Sequence, residues 1–230
     1  MREIVLDTET TGLEPGSGHR IIEIGCLELV NHLPTERTFH VFVNPERDIP
    51  SAAVEVHGLT ADFLSDKPLF ASVAEGFLEF IGSAPLIIHN APFDMGFLNA
   101  ELQRLDHPGL PMSRAVDTLA LARKKYPGSP NSLEALCRRF QVDTTAREKH
   151  GALIDARLLA EVYLQLIGGR QPDLVLAPAS ETRAVEKVAA ATLPRRRGPL
   201  KSLLTADESA AHRRFVDDTL GEKALWLRGA

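Results

Sequence analysis

Cysteine is scarce in this chain. Cys26 and Cys137 are the only two among 230 residues, too few and too far apart for a disulfide framework or a cysteine-based zinc site. Long apolar runs are missing as well, none approaching the roughly 20 residues of a membrane span. The first residues, MREIVLDTET, set acids inside the first apolar run and lack the apolar core of a secretory signal. A soluble cytoplasmic protein with no membrane partner is expected, in a compartment where thiols stay reduced. A positive excess is the third absence. Lys and Arg number 26 against 31 Asp and Glu, a net charge of −5, whereas a free-standing nucleic-acid binder is usually basic. With 44% hydrophobic and 25% charged residues, the composition excludes a disordered, collagen-like or disulfide-scaffold chain. It leaves a globular domain with an appendage.

What is present to about residue 168 is a dense alternation of strand and helix patterns. Glu3–Thr8, Arg20–Val30 and Thr38–Val43 read as strands joined by short, turn-rich links, which predicts an antiparallel meander. Leu69–Ile81 has the spacing of an amphipathic helix. Leu86–His89 reads as a short buried strand, followed at once by helical periodicity to Leu105. Further helices are predicted at Leu119–Tyr126, Ser132–Phe140 and Ala152–Ile167, with Asn131 or Ser132 as an N-cap and Gly168-Gly169 as a stop. Strands first, then strand–helix alternation, predict a mixed sheet with helices packed on it. After Gly169 the character changes, and Thr205–Leu227 reads as one or two short helices ending in Leu225-Trp226-Leu227. So small a segment cannot bury those residues well by itself, which favours docking on a partner.

Three sequence features carry chemistry. Asp7 and Glu9, two apart on a strand, project from one face. Adjacent carboxylates at the end of a buried strand repel each other unless a cation is present. Asp94 follows Asn90 and Pro92, residues suited to a helix start, so it sits near a helix N-terminus at a sheet end. In His150-Gly-Ala-Leu-Ile-Asp155, five helical steps turn about 500°. A shared site therefore needs Asp155 on the helix and His150 in the segment before it. Four acids and one histidine suit hard divalent cations, Mg²⁺ or Mn²⁺, rather than zinc. Such a pair of ions serves phosphoryl transfer, and His150 can take the proton of an attacking water.

DTETTG, NAPFD and HGALIDA resemble the three motifs of the DEDDh exonucleases, in order and at similar spacing, and the likeness extends through VHGLT and NSLEALC. It is strongest to the proofreading members that work with a bacterial replicative polymerase, and reaches LTADESAAH in the tail. The resemblance implies a ribonuclease H-like fold and hydrolysis of the last phosphodiester at a DNA 3′ end. Asp7, Glu9, Asp94 and Asp155 would hold two metals, with Asp7 bridging and His150 as general base. Thr10 and His57 fall in segments lining the family's terminal-nucleotide pocket, which Asn90 and Phe93 adjoin, although Thr10 can equally close the turn into Gly12 and Phe93 can belong to the core. The implied organisation is a nuclease domain over 1–168, a linker over 169–199 and a polymerase-binding segment over 200–230. Gln171, Leu174 and Leu176 are similar to short sliding-clamp docking motifs, and a third small subunit is a further expected partner. The alternatives are a free-standing nuclease acting on RNA or single-stranded DNA, and a non-catalytic adaptor between clamp and polymerase.

Overall fold

A computed structural model of the chain describes residues 1–145, 150–168 and 205–220. The chain divides into two compact units, Met1–Val175 and Leu176–Ala230. In the first, β1 (Arg2–Thr10), β2 (Ile21–Val30) and β3 (Leu33–Phe42) form the expected antiparallel meander. Two short strands, β4 (Leu86–Ile88) and β5 (Ala115–Asp117), run parallel to β1 and complete a five-stranded sheet of order β3-β2-β1-β4-β5.

Alternation along the central strand decides what each face carries. Ile4 and Leu6 of β1, with Ile24 and Cys26 of β2, pack against α3 (Phe70–Ile81) and α4 (Ala91–Gln103). Val5, Leu27, Leu29 and Ile87 face the other way, onto α5 (Thr118–Lys125), α6 (Leu133–Phe140) and α7 (Ala152–Leu166). Cys26 and Cys137 belong to these opposite cores, so the sheet separates them. Glu3 shares the Val5 face, where its buried carboxylate accepts the Tyr163 hydroxyl of α7 at 2.9 Å. Asp7 and Glu9 continue the same register and lie on the α7 side of the sheet.

Several elements differ from the sequence expectation. Two short helices, α1 (Ser51–His57) and α2 (Ala61–Leu64), join β3 to α3, and β5 precedes α5. None is legible in the sequence, because elements of three to seven residues offer too few repeats for a period to emerge. Ser132 caps α6, its hydroxyl accepting from the Ala135 amide at 3.2 Å. Asn90 occupies the N-cap position of α4, yet its side chain makes no capping bond. The turn from β4 into α4 holds Asn90 in the left-handed region at φ 66°, a conformation asparagine tolerates. In the second unit, Thr205 and Glu208 form a reciprocal capping box on α8 (Ala206–Phe215), followed by a π-helical turn at Val216–Leu220. Gln171, Leu174, Leu176 and Leu225–Leu227 lie outside the described residues.

Candidate active site

The site forms where β1 outruns β4. The two strands pair at Ile4–Leu86 and Val5–Ile87, and α4 begins just past the end of β4. The end of β1 therefore projects past its pairing with β4, at the carboxyl end of parallel strands, where α/β sheets bind ligands. Thr8 points to the α4 side. Its amide and hydroxyl both donate to Asp94 Oδ1, at 3.0 and 2.7 Å, which ties the first turn of α4 to the strand between Asp7 and Glu9.

Asp155 arrives from the opposite face through a close approach of backbone to backbone. Gly25 of β2 lies opposite Asp7 in the ladder. A Cβ there would fall 2.2 Å from the Leu153 amide nitrogen and 2.3 Å from the Ala152 carbonyl carbon. The missing side chain lets the start of α7 rest on the sheet and sets Asp155, in the first helical turn, beside the β1 acids. His150 precedes the helix, as the spacing requires, and its Nδ1 lies 3.1 Å from Asp155 Oδ2. Ligand atoms of Glu9, His150 and Asp155 come within 4.8 Å of one another.

Electrostatics show the strain of bringing these acids together. Burial pushes Asp7 well above the usual carboxylate range, helped by repulsion from Asp94, Glu9, Asp155 and Glu23. Burial also raises Asp94, to about 7, against the opposing hydrogen bonds from Thr8. Buried carboxylates crowded in this way are a donor set suited to hard divalent cations. The residues present therefore fit a divalent metal centre.

Two clefts flank the acids. The first, about 630 Å³, is lined by Glu9, Thr10, Leu13, Val56, His57 and Phe93, among others. Thr10 donates to the Gly12 carbonyl at 2.6 Å, closing the turn. His57 is buried at the end of α1, and its Nδ1 accepts from the Leu59 amide at 2.9 Å. The proton of a neutral His57 ring thus sits on Nε2. The second cleft, about 610 Å³, contains Asp7, Asn90, His150 and Asp155 together with Arg123 and Asn131. The resemblance sets both Asn90 and Phe93 beside the pocket of Thr10 and His57; Phe93 lines that first cleft, whereas Asn90 lines the second. Thr8, Gly25, Arg123 and Asp117 also border the site, without standing out as site residues in the sequence. Asp117 accepts from the Asn90 and Leu119 amides at 3.1 and 2.9 Å, and an aspartate directly before a helix was the signal that could have found it.

The Exonuclease (RNase_T) family model matches residues 4–163. This chain belongs to the exonuclease family. Over 174 residues this exonuclease is 58% identical to the DNA polymerase III subunit epsilon of Rickettsia felis, covering 74% of this chain and 76% of the relative. It is 47% identical over 231 residues to the subunit of that name from Rickettsia prowazekii, with 96% and 97% covered. The Escherichia coli subunit is 43% identical over 237 residues, with 98% and 97% covered. Among solved structures it is similar to exonuclease X in complex with 5′ overhanging duplex DNA, with TM-score 0.57, 25% identity, and 71% of this chain and 90% of that one covered. The nuclease domain of 3′hExo, a DEDDh family member bound to rAMP, superimposes with TM-score 0.63 at 22% identity over 72% of this chain and 91% of that one. The mixed sheet flanked by helices is thus the ribonuclease H-like exonuclease fold, and the enzyme class is that of a metal-dependent 3′–5′ exonuclease. Among the described residues no helix is long and apolar enough to cross a membrane.

Proposed function

We propose that this exonuclease is the proofreading subunit of a bacterial replicative DNA polymerase, acting in the cytoplasm and removing mispaired 3′-terminal nucleotides as nucleoside 5′-monophosphates. One observation carries the reading: the likeness to polymerase III epsilon subunits runs along 96–98% of the chain, tail included. Asp7, Glu9, Asp94 and Asp155 would hold two divalent cations, Mg²⁺ or Mn²⁺, which would supply water activation and neutralisation of charge at the leaving 3′ oxygen. His150 is the general base. With Nδ1–H donating to Asp155 Oδ2, Nε2 is left to accept a proton from the attacking water.

The first cleft takes the terminal nucleoside. Thr10 and His57 offer polar contacts, and Phe93 with its aliphatic neighbours offers a surface on which any base can stack. Such a pocket need not read the base. It must receive a frayed strand, and each paired step costs roughly 1.4 kcal/mol to open. Two or three steps disfavour a paired end by about 3–4 kcal/mol, a hundred- to a thousand-fold in population. A mispaired end escapes most of that cost.

Residues 1–168 form the nuclease domain in this reading, and 200–230 the polymerase-docking segment. The capping box of α8 supports a helix that holds its own start there. Between them, 169–199 serves as a linker whose Gln171, Leu174 and Leu176 dock on the sliding clamp; a third small subunit completes the assembly. The test is hydrolysis of primers with paired and mispaired 3′ ends, with Mg²⁺, Mn²⁺ or chelator, alongside co-purification with the polymerase catalytic subunit. Faster removal of the mispaired end is expected, and equal rates in the assembled complex would sink the proofreading assignment.

A further inference from the structure

The second cleft raises a question that the terminal-nucleotide pocket does not answer. Hydrolysis at a 3′ end requires the scissile phosphate among Asp7, Glu9, Asp94 and Asp155. With the terminal nucleoside in the first cleft, the remaining strand must leave on the other side. The second cleft begins there, sharing Asp7, His150 and Asp155 with the site. Its further lining is more polar than that of the first, with Asn90, Ser129, Asn131 and Ser132 beside Leu119 and Leu133. A sugar-phosphate backbone suits such walls better than a base does.

Among the described residues, Arg123 is the only lysine or arginine in that lining. It projects from the last turn of α5, where the helix dipole favours a cation. The side chain is exposed, and among the described residues it enters no ion pair or hydrogen bond. Among the described residues, the one acid in the lining outside the catalytic set, Glu134, is engaged by Arg138 at 3.3 Å. His89 lies near enough to Arg123 for the guanidinium charge to oppose its protonation, which burial already disfavours. A fork-shaped cation beside an acid cluster, unpaired among the described residues, in a protein of net charge −5, is a feature that a phosphate explains.

We infer that Arg123 binds the phosphate one linkage upstream of the scissile bond, making the second cleft the subsite for the penultimate nucleotide. The assignment rests on the site reading proposed above and adds a residue that positions the strand. It accounts for how an acidic protein holds the DNA chain behind its reacting end.

The test uses the full-length protein and two substrates. One is a single-stranded oligonucleotide; the other is the p-nitrophenyl ester of thymidine 5′-monophosphate, which has a scissile phosphate but no upstream linkage. Arg123→Ala should lower the oligonucleotide-to-ester ratio of kcat/KM about ten-fold, the loss of one charge-assisted contact. The change should fall mainly on KM, with partial recovery in Arg123→Lys. Log–log salt dependence on the oligonucleotide should flatten by roughly 0.7, as for one released counterion on a single strand. A neutral methylphosphonate at the penultimate linkage should slow the unsubstituted protein by a similar factor and leave Arg123→Ala indifferent. An unchanged ratio, or a methylphosphonate penalty that persists in Arg123→Ala, overturns the assignment of Arg123. Failure of the unsubstituted protein to hydrolyse even the ester with Mn²⁺ overturns the site reading itself, and this inference with it.

Discussion

Asp94 couples the chemistry of the site to its stability. Its folded pKa, raised by burial to about 7, lies above the ordinary carboxylate value of 3.8, and Asp7 shifts in the same direction. The sign follows from linkage. The contribution of a carboxyl with a raised pKa is fully present below about pH 4 and is lost as pH rises through about 7. Metal-free protein should therefore weaken over that window, and a bound cation should recover the loss. We expect the Tm increment from Mn²⁺ to be larger at pH 8 than at pH 5; equal increments would count against a carboxylate metal centre. Asp94→Asn keeps an acceptor for Thr8 but removes the charge. At pH 8 in chelator it should melt above the unsubstituted protein, while activity falls by roughly a thousand-fold or more. His150 separates from the acids by the same pair of measurements. His150→Ala should lose about 10²–10⁴-fold in kcat, as for a general base, yet keep the Mn²⁺ increment in Tm. Loss of that increment would make the imidazole a ligand instead.

At the scale of elements, the site depends on two helices reaching one strand end from opposite faces. The α7 approach is permitted by Gly25, and the obstacle to any larger residue is backbone, which cannot rotate aside. Gly25→Ala should lower Tm, costing about 1–3 kcal/mol by overpacking. Activity measured well below the new Tm should also fall, because Asp155 moves with the helix. Gly96 is the matched control. It lies inside α4, and a Cβ there would meet nothing within 4 Å. Gly96→Ala should raise stability by about 0.4–1 kcal/mol. Opposite signs in thermal denaturation for the same chemical change would establish that packing against α7, rather than glycine content, is what Gly25 serves.

For the whole molecule, the net charge of −5 takes on a different meaning once the acids are located. Asp7, Glu9, Asp94 and Asp155 gather at one sheet end, where two divalent ions would neutralise them. The remaining acidity favours an enzyme that works as part of an assembly holding the DNA. A chain ending at residue 168 keeps the family-matched segment 4–163. It should retain metal-dependent hydrolysis of a single-stranded oligonucleotide within about two-fold, a difference that RT scaling makes energetically minor, and should no longer co-purify with the polymerase subunit. Retained co-purification would move the docking surface onto the nuclease domain.

Much of this protein is determined locally. The period-two pattern of β1 puts Asp7 and Glu9 on one face, the His150–Asp155 spacing demands a histidine ahead of its helix, and Ser132 and Thr205 announce helix starts. These features depend on residues within a turn or two of each other, so the amino-acid order suffices to define them. The tertiary structure decided the rest. Thr8 holds Asp94 across 86 positions of sequence. Gly25 admits α7, Asn90 takes a left-handed turn in place of capping, and Arg123 borders a cleft that no spacing foretells. Each depends on how helices settle against a sheet end, and that placement is set by the two buried cores, whose contacts join residues far apart in the chain.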